Sequence, residues 1–412
     1  MLVVIGGGPA GFFAAIRARE IAPDRPLVLL ERGGRVLRKV AVSGGGRCNV
    51  THACFDPREL VTRYPRGGRE LRGPLHGFGP GETVAWFAAR GVELKTEDDG
   101  RMFPVTDSSA TIVEALERAA REAGVAVRTR AAVASLAADG PQWRVELADG
   151  DPLVADAVLL ATGGQAAGAG VDGLALAAGC GHTVVPPVPS LFTLNIADPL
   201  PGDLAGVSVP AGRIRVPGAK ALTETGPILI THWGLSGPAV LRLSAWGARH
   251  FADHGYELTV EVNWTGDRTP DAMDAELQAT ALTHGRQAVR STPLAGLPRR
   301  LWAALADAAG LDPERRWGDL GKAERRALAV RATACPFAVE GLTSYKEEFV
   351  TCGGVALPEV DFRNMASRVA PGLFLAGEVL DVDGVTGGFN FQNCWTTGWL
   401  AGAGLASHGA ST

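Results

Sequence analysis

The sequence predicts an α/β fold: a Rossmann-like nucleotide-binding domain interrupted by an inserted β-rich segment and a helical segment. Three observations carry this. The chain opens on the apolar run Met1-Leu-Val-Val-Ile5, which passes directly into GGGPAG. A second apolar run, Leu27–Leu30, ends on Glu31, twenty residues beyond Gly11. Features of the same domain then return after Tyr345, beyond a middle stretch of different character.

Each part of the opening unit has a physical reason. Gly6 permits a tight turn, Gly8 lets backbone approach a pyrophosphate, and Gly11 allows the following helix to lie close on the first strand. Pro9 and Ala10 start that helix, whose positive end meets the pyrophosphate. Glu31 is placed for its carboxylate to accept from ribose hydroxyls, with Arg32 beside it. Further on, Ser109 to Ala123 repeats Ile112, Val113, Leu116 and Ala119 on one helical face. A strand at Val125–Arg128 and a β-ribbon, Ala131–Leu136 with Trp143–Leu147, come next, and Val133 in that ribbon is counted with the cofactor contacts. Ala157-Val-Leu-Leu-Ala161 reads as a buried parallel strand leaving through Thr162, Gly163 and Gly164, which adds backbone against the nucleotide.

From about Pro186 the character changes. Proline-rich turns, Val185-Pro-Pro-Val-Pro189 and Asp198-Pro-Leu-Pro201, separate short β-like runs at Leu191–Ile196, Gly212–Val216, Ile228–Thr231 and Tyr256–Asn263. Between Pro270 and Ala334 the pattern is helical, as in Arg299–Ala309 and Lys322–Thr333. The expected boundaries are therefore 1–187 and 336–412 for a discontinuous nucleotide-binding domain, 188–268 for the β-rich insertion and 269–335 for the helical one.

Composition narrows the function classes. A chain of 412 residues exceeds one compact core and has material for a deep, dry site. Its net charge of −4 gives no generic attraction to nucleic acid or anionic membrane. Residues 285–335 do carry ten Lys or Arg against five Asp or Glu, a local excess of +5 that could receive RNA. No aromatic-rich stacking surface accompanies it, so solvated helix faces are favoured over an RNA site. No apolar run reaches the ~20 residues that span a bilayer, and the first strand starts at residue 2, so a cytoplasmic protein is expected. The six cysteines form no CxxC pair, and neither a metal site nor a disulfide framework is expected. Cys48 and Cys54 are separated by five residues, with no His-Glu acid pair near the C-terminus to serve them as a redox dithiol.

Two more glycine-rich segments point to a cofactor. Ser43-Gly44-Gly45-Gly46-Arg47-Cys48-Asn49 lacks every Cβ that would obstruct a flat ring or phosphate, while Arg47 and Asn49 offer donors. Near the C-terminus, Gly372-Leu-Phe-Leu-Ala-Gly377-Glu378 is an apolar strand ending on glycine and an acid, followed by Asp381 and Asp383. Such a strand end in flavin enzymes brings a carboxylate to the ribityl chain. Gly387-Gly388-Phe389-Asn390 then opens a helix able to aim its positive end at a flavin pyrimidine edge.

The segments KVAVSGGGRCNVT (Lys39–Thr51), THWGLSGPAVLRLS (Thr231–Ser244) and VTCGGVALPEVDFRNMASRVAPGLFLAGEVLDVDGVTGGFNFQ (Val350–Gln392) resemble the signature blocks of the BaiN/RdsA family of bacterial flavoproteins. The resemblance runs over nearly the whole chain and departs from the pattern at Cys352 and at Asn393-Cys394-Trp395-Thr396. It implies a non-covalent FAD held by a two-dinucleotide-binding-domain flavoprotein fold, with a β-barrel-like and a helical domain inserted, and Lys39 among the cofactor contacts. It also implies reduction of an activated C=C bond, either in a small molecule or in a ribosomal RNA uridine. A flavin-binding redox sensor without turnover is the third class.

No second complete GxGxxG with its own strand and acid is present; Gly163-Gly-Gln-Ala-Ala-Gly168 comes nearest. NAD(P)H is therefore expected as a transient donor at the flavin face. Reduction of a conjugated bond also needs a proton donor. His232, expected to end a strand of the insertion just before a helix, is the first candidate, with a structural histidine the competing reading. Cys352 and Tyr345 are the runners-up.

Overall fold

The computed structural model describes residues 1–164, 173–200, 202–343 and 350–409. The chain folds as two compact units, one comprising Met1–Ser190 with Tyr345–Thr412, the other Leu191–Ser344.

The first unit is built on a mainly parallel sheet. Strand β1 (Leu2–Ile5) lies at its centre, before helix α1 (Pro9–Ile21), strand β2 (Leu27–Leu30) and helix α2 (Arg38–Gly46). Strand β3 (Ala126–Arg128) pairs with β2, and β4 (Ala157–Leu160) with β1, in registers Val28↔Ala126 and Leu2↔Ala157. Every residue of β1, β2 and β4 is buried, the pattern of parallel strands covered on both faces. After the second unit the chain returns with β5 (Val350–Val355) and β6 (Leu373–Leu375), and β6 joins the sheet beside β4. The long helix α3 (Phe389–Ser407) then packs on α1. A Cβ at Gly398 would stand 2.6 Å from Ala10 O, and one at Gly402 2.5 Å from Ala14 O, so these glycines allow the two backbones to touch.

One segment departs from expectation. Val185–Pro189 is not a turn but part of a strand, Val184–Ser190, antiparallel to β5. Its register shifts between Val185 and Val188, and this two-stranded, bulged pairing tolerates prolines that cannot donate.

The second unit contains a closed six-stranded barrel. Its neighbours run Thr193–Ile196, Gly234–Ser236, Thr223–Ile230, Ser208–Arg215, Glu257–Asn263 and Cys335–Thr343. The expected runs all appear, but Cys335–Thr343, expected where the nucleotide-binding domain returns, is instead a barrel strand held by Thr193–Ile196 and Glu257–Asn263, and Gly234–Ser236 is an additional short strand between His232 and the helix Pro238–Trp246. Three residues are too few to show a period in sequence; both neighbouring strands define it. Helices Pro270–Thr283, Arg299–Ala308 and Lys322–Thr333 share one hydrophobic core with the barrel, in which Trp264, Trp302 and Trp317 are fully buried. Among the described residues, no helix is long and apolar enough to cross a membrane.

Candidate functional site

In the first unit, segments far apart in sequence meet around the glycine turn that follows β1. Gly6 adopts φ +115°, and a Cβ there would lie 2.3 Å from Ala161 O. A Cβ at Gly11 would lie 2.0 Å from Gly6 O. At Gly8, by contrast, a Cβ would have nothing within 4 Å. Gly8 caps α1 without a side-chain hydrogen bond and Pro9 starts it, so the N-cap residue leaves the positive helix end open, while the Cys394 thiol meets the Ala10 backbone. Glu31 closes the turn, its carboxylate accepting from Gly7 N at 2.9 Å and Gly33 N at 2.6 Å. Arg32 is exposed beside it. Ala131 N donates to Glu31 O, which brings the ribbon containing buried Val133 alongside.

Helix α2 supplies the second glycine segment. Its helical dihedrals break at Ser43, Gly44 and Gly45, and Gly44, Gly45 and Gly46 adopt φ of +58°, +66° and +82°. A Cβ at Gly45 or Gly46 would meet nothing within 4 Å. Ser43 O accepts from Cys48 N, and burial pushes the Cys48 thiol up to about 12 against the Ser43 hydrogen bond, so it stays protonated at neutral pH. Arg47 faces away from this opening in its partnerships: it pairs with Glu97 at 2.7 Å and lies over the Phe103 ring.

The C-terminal strand end joins both. Lys39 donates to Glu378 Oε2 at 2.7 Å, and Glu378 Oε1 accepts from Thr351 N at 2.8 Å. Desolvation weighs against the Lys39 ammonium, but adjacent Glu378 outweighs it and holds the group above its ordinary range. Gly377, at φ +78°, donates to Thr397 Oγ1, and a Cβ there would stand 2.9 Å from Ala10 Cβ. Gly163 and Gly164 abut this acid: a Cβ at Gly164 would be 3.2 Å from Glu378 Oε1 and 2.2 Å from Thr351 Oγ1. Thr162 Oγ1 is buried without a hydrogen-bond partner among the described residues.

The start of α3 is fastened to the second glycine segment. With its amide oriented to satisfy both ends, Asn49 accepts from Gly388 N and donates to Thr51 O, each at 3.0 Å. Gly387 and Gly388 adopt φ of +136° and +91°. Asn390 binds Gly384 through both N and O, and Phe389 stacks on His52 while its carbonyl accepts from Tyr64 at 2.8 Å.

Of the groups that hold this loop, the sequence marks Asp383 only as an acid following Glu378, and it does not single out Arg66 or Gln392. Asp383 is fully buried, pairs with Arg66 through both oxygens and accepts from Ser190 Oγ at 2.8 Å. Burial pushes its carboxyl up, opposed by Arg66. Gln392 accepts from Thr51 and Thr83 hydroxyls at 2.6 and 3.0 Å. The only local signal was the acid-rich run Asp381-Val-Asp383; Arg66 had none.

The proton-donor candidates are not all in the first unit. Cys352 is buried on β5 opposite Val188. His232 lies exposed in the second unit, in a turn between two barrel strands. Tyr345 and the Gln165–Gly168 part of the second glycine-spaced candidate lie outside the described residues.

Comparison with known proteins places this geometry. The family described as HI0933-like protein Rossmann domain matches residues 1–404. The chain is 33% identical over 423 residues to a 3-dehydro-bile acid delta(4,6)-reductase from Clostridium scindens, covering 98% of each. It is 30% identical over 404 residues to the ribosomal RNA dihydrouridine synthase of Escherichia coli, covering 96% of each. Among solved structures, a 3-ketosteroid delta1-dehydrogenase from Sterolibacterium denitrificans shares the fold at TM-score 0.53 and 13% identity, over 98% of this chain and 99% of that one.

Proposed function

The chain belongs to the HI0933-like Rossmann-domain family and is an oxidoreductase of the flavoprotein class, and from that premise we propose that it reduces an activated C=C bond of a small molecule, using FAD and electrons from NAD(P)H. The observation that carries the reading is the meeting of two glycine turns with open space where side chains would be, at Gly8 and at Gly45–Gly46, beside the carboxylates of Glu31 and Glu378. The residues present fit such a cofactor, and the buried hydroxyl of Thr162, without a partner among the described residues, adds a polar group for it to meet.

In this reading Glu31 accepts from ribose hydroxyls, and the start of α1 at Gly8, Pro9 and Ala10 takes the diphosphate. Gly45 and Gly46 leave room for the ring system. Glu378, held by Lys39 and Thr351, and the neighbouring Asp381 serve the ribityl chain. The start of α3, from Gly387 to Asn390, aims its positive end at the pyrimidine edge. FAD, when bound, supplies hydride chemistry at one carbon of the double bond. The other carbon needs a proton, and His232 remains the first candidate for it, ahead of Cys352 and Tyr345.

Anaerobic rapid mixing tests this: NADH or NADPH is expected to bleach the flavin, and an enone acceptor to restore its colour. A flavin that neither nucleotide reduces would exclude the donor. Full turnover by His232→Asn with FAD retained would remove His232 as the acid. Uridine reduction in RNA stands as the second reading, favoured by the identity to the Escherichia coli synthase. Against it, four of the ten basic residues in 285–335 are paired with carboxylates: Arg290 with Asp307, Arg315 with Glu324, Arg325 with Asp274 and Arg326 with Asp271. Salt-sensitive binding of ribosomal RNA fragments would promote it.

A further inference from the structure

The barrel of the second unit encloses at one end a cavity of about 180 Å³. Its lining is mostly aliphatic and aromatic, including Ile230, Leu235, Trp264 and Phe337, and Asp203 and His232 are the ionisable groups among the described residues that reach it. Both are exposed, so they mark the side on which the cavity meets water.

Beside His232 stands Trp233, 69% exposed, in a turn that has little freedom. Thr231 N donates to Gly234 O at 2.8 Å, and Thr231 Oγ1 accepts from Gly234 N at 3.1 Å and Trp233 N at 3.3 Å. Ile196 N donates to Trp233 O at 3.0 Å. A Cβ at Gly234 would stand 2.1 Å from Leu194 O, and the strand that follows pairs on both sides, Leu235 with Leu194 and with Ile230. The fold thus holds an indole in water on a fixed backbone, next to an apolar cavity. A rigidly mounted aromatic loses little entropy when it covers a ligand.

Size and polarity select the ligand. An apolar cavity of about 150 Å³ accommodates benzene, so this one takes a single six-membered ring. A pyrimidine would bring several donors and acceptors into it, each costing about 1–3 kcal/mol if unmatched. The Thr231 hydroxyl accepts from two amides and donates to Gly234 O, which leaves His232 and Asp203 as the ionisable side chains to meet the ligand. We propose that the barrel-end cavity binds one ring of a cyclic ketone, with His232 at the carbonyl oxygen and Trp233 covering the part of the molecule that remains outside. The inference rests on the reductase reading for its ligand class, and it is tested without turnover.

Equilibrium dialysis of the FAD-loaded full chain against androst-4-ene-3,17-dione, with no reductant, is the experiment. Saturable binding is expected. Trp233→Ala should weaken it about fivefold to a hundredfold, the range for losing a stacked aromatic, while Trp233→Phe stays within about twofold. Ala205→Phe, which fills the cavity from a half-buried position on its wall, should abolish it with flavin content unchanged. If Ala205→Phe does not fold, the two Trp233 variants decide. Uridine should neither bind saturably nor compete. Absence of saturable dione binding, equal affinity in Trp233→Ala, or competition by uridine overturns the proposal. A chain that binds the dione but whose flavin accepts no electrons from NAD(P)H contradicts the reductase reading and leaves this site standing.

Discussion

At Gly6 and Gly11 a glycine is required because backbone stands where a side chain would go; at Gly45 and Gly46 nothing stands there at all. The first turn is a packing device. It brings α1 onto β1, with Gly6 O only 2.0 Å from the place of a Gly11 Cβ. The second segment leaves its space empty and requires glycine through its left-handed dihedrals. Gly8 is a third case, with ordinary φ of −90° and open surroundings. Glycine in a binding fold therefore has separable uses: one kind of position keeps the protein folded, another keeps a surface bare for a ligand.

Substitutions can separate these uses. The largest effect is expected from Gly11→Ala, which must push α1 away from the first turn. It should cost at least the ~1–3 kcal/mol typical of overpacking, lower Tm and abolish flavin retention, as read by thermal unfolding and absorbance near 450 nm. Gly8→Ala should leave the Tm of the FAD-free protein unchanged and weaken FAD binding at least about tenfold, about 1.4 kcal/mol, in a fluorescence titration. A drop in apoprotein stability would mean that Gly8 too serves packing. Gly45→Ala should cost about 1 kcal/mol through its positive φ and also weaken FAD, a mixed result between the other two.

The smallest effect is expected from Lys39→Met. Lys39 is exposed, so its pair with Glu378 contributes under about 1 kcal/mol. Its folded-state pKa is raised, so that contribution is complete below the unfolded value of about 10.4 and disappears as pH rises through the folded one. The Tm difference between wild type and Lys39→Met should stay constant from neutral pH to about 9 and close in more alkaline buffer. A difference that persists unchanged in strongly alkaline buffer would contradict the assignment to the Lys39 ammonium.

The parts of this fold that were readable in advance are those with local causes. Glycine spacing between β1 and α1, the apolar runs of β2 and β4, and the helical period of Arg299–Ala308 and Lys322–Thr333 all appear where the sequence places them. What escaped depends on partners distant in the chain. Prolines at 186, 187 and 189 read as turns, and only pairing with β5 makes the segment a strand. Gly234–Ser236 is a strand because two neighbours hold it. Arg66 and Asp383 lie 317 residues apart, and Asn49 meets Gly388 across a similar gap. No window of sequence contains both members of such a pair, so residues such as Gly388, Asn49 and Glu378 were legible and the contacts that join them, like the partner Arg66, were not.

The central claim is that the residues around Gly8, Glu31, Gly45, Glu378 and Gly388 form a cradle for one flavin nucleotide. Titrating FAD into the chain stripped of cofactor, with flavin fluorescence as the readout, tests it most directly. The account predicts saturation at one FAD per chain for the wild type and a marked loss of affinity in Gly8→Ala at unchanged apoprotein Tm. A wild-type chain that stays colourless and takes up no FAD would contradict it.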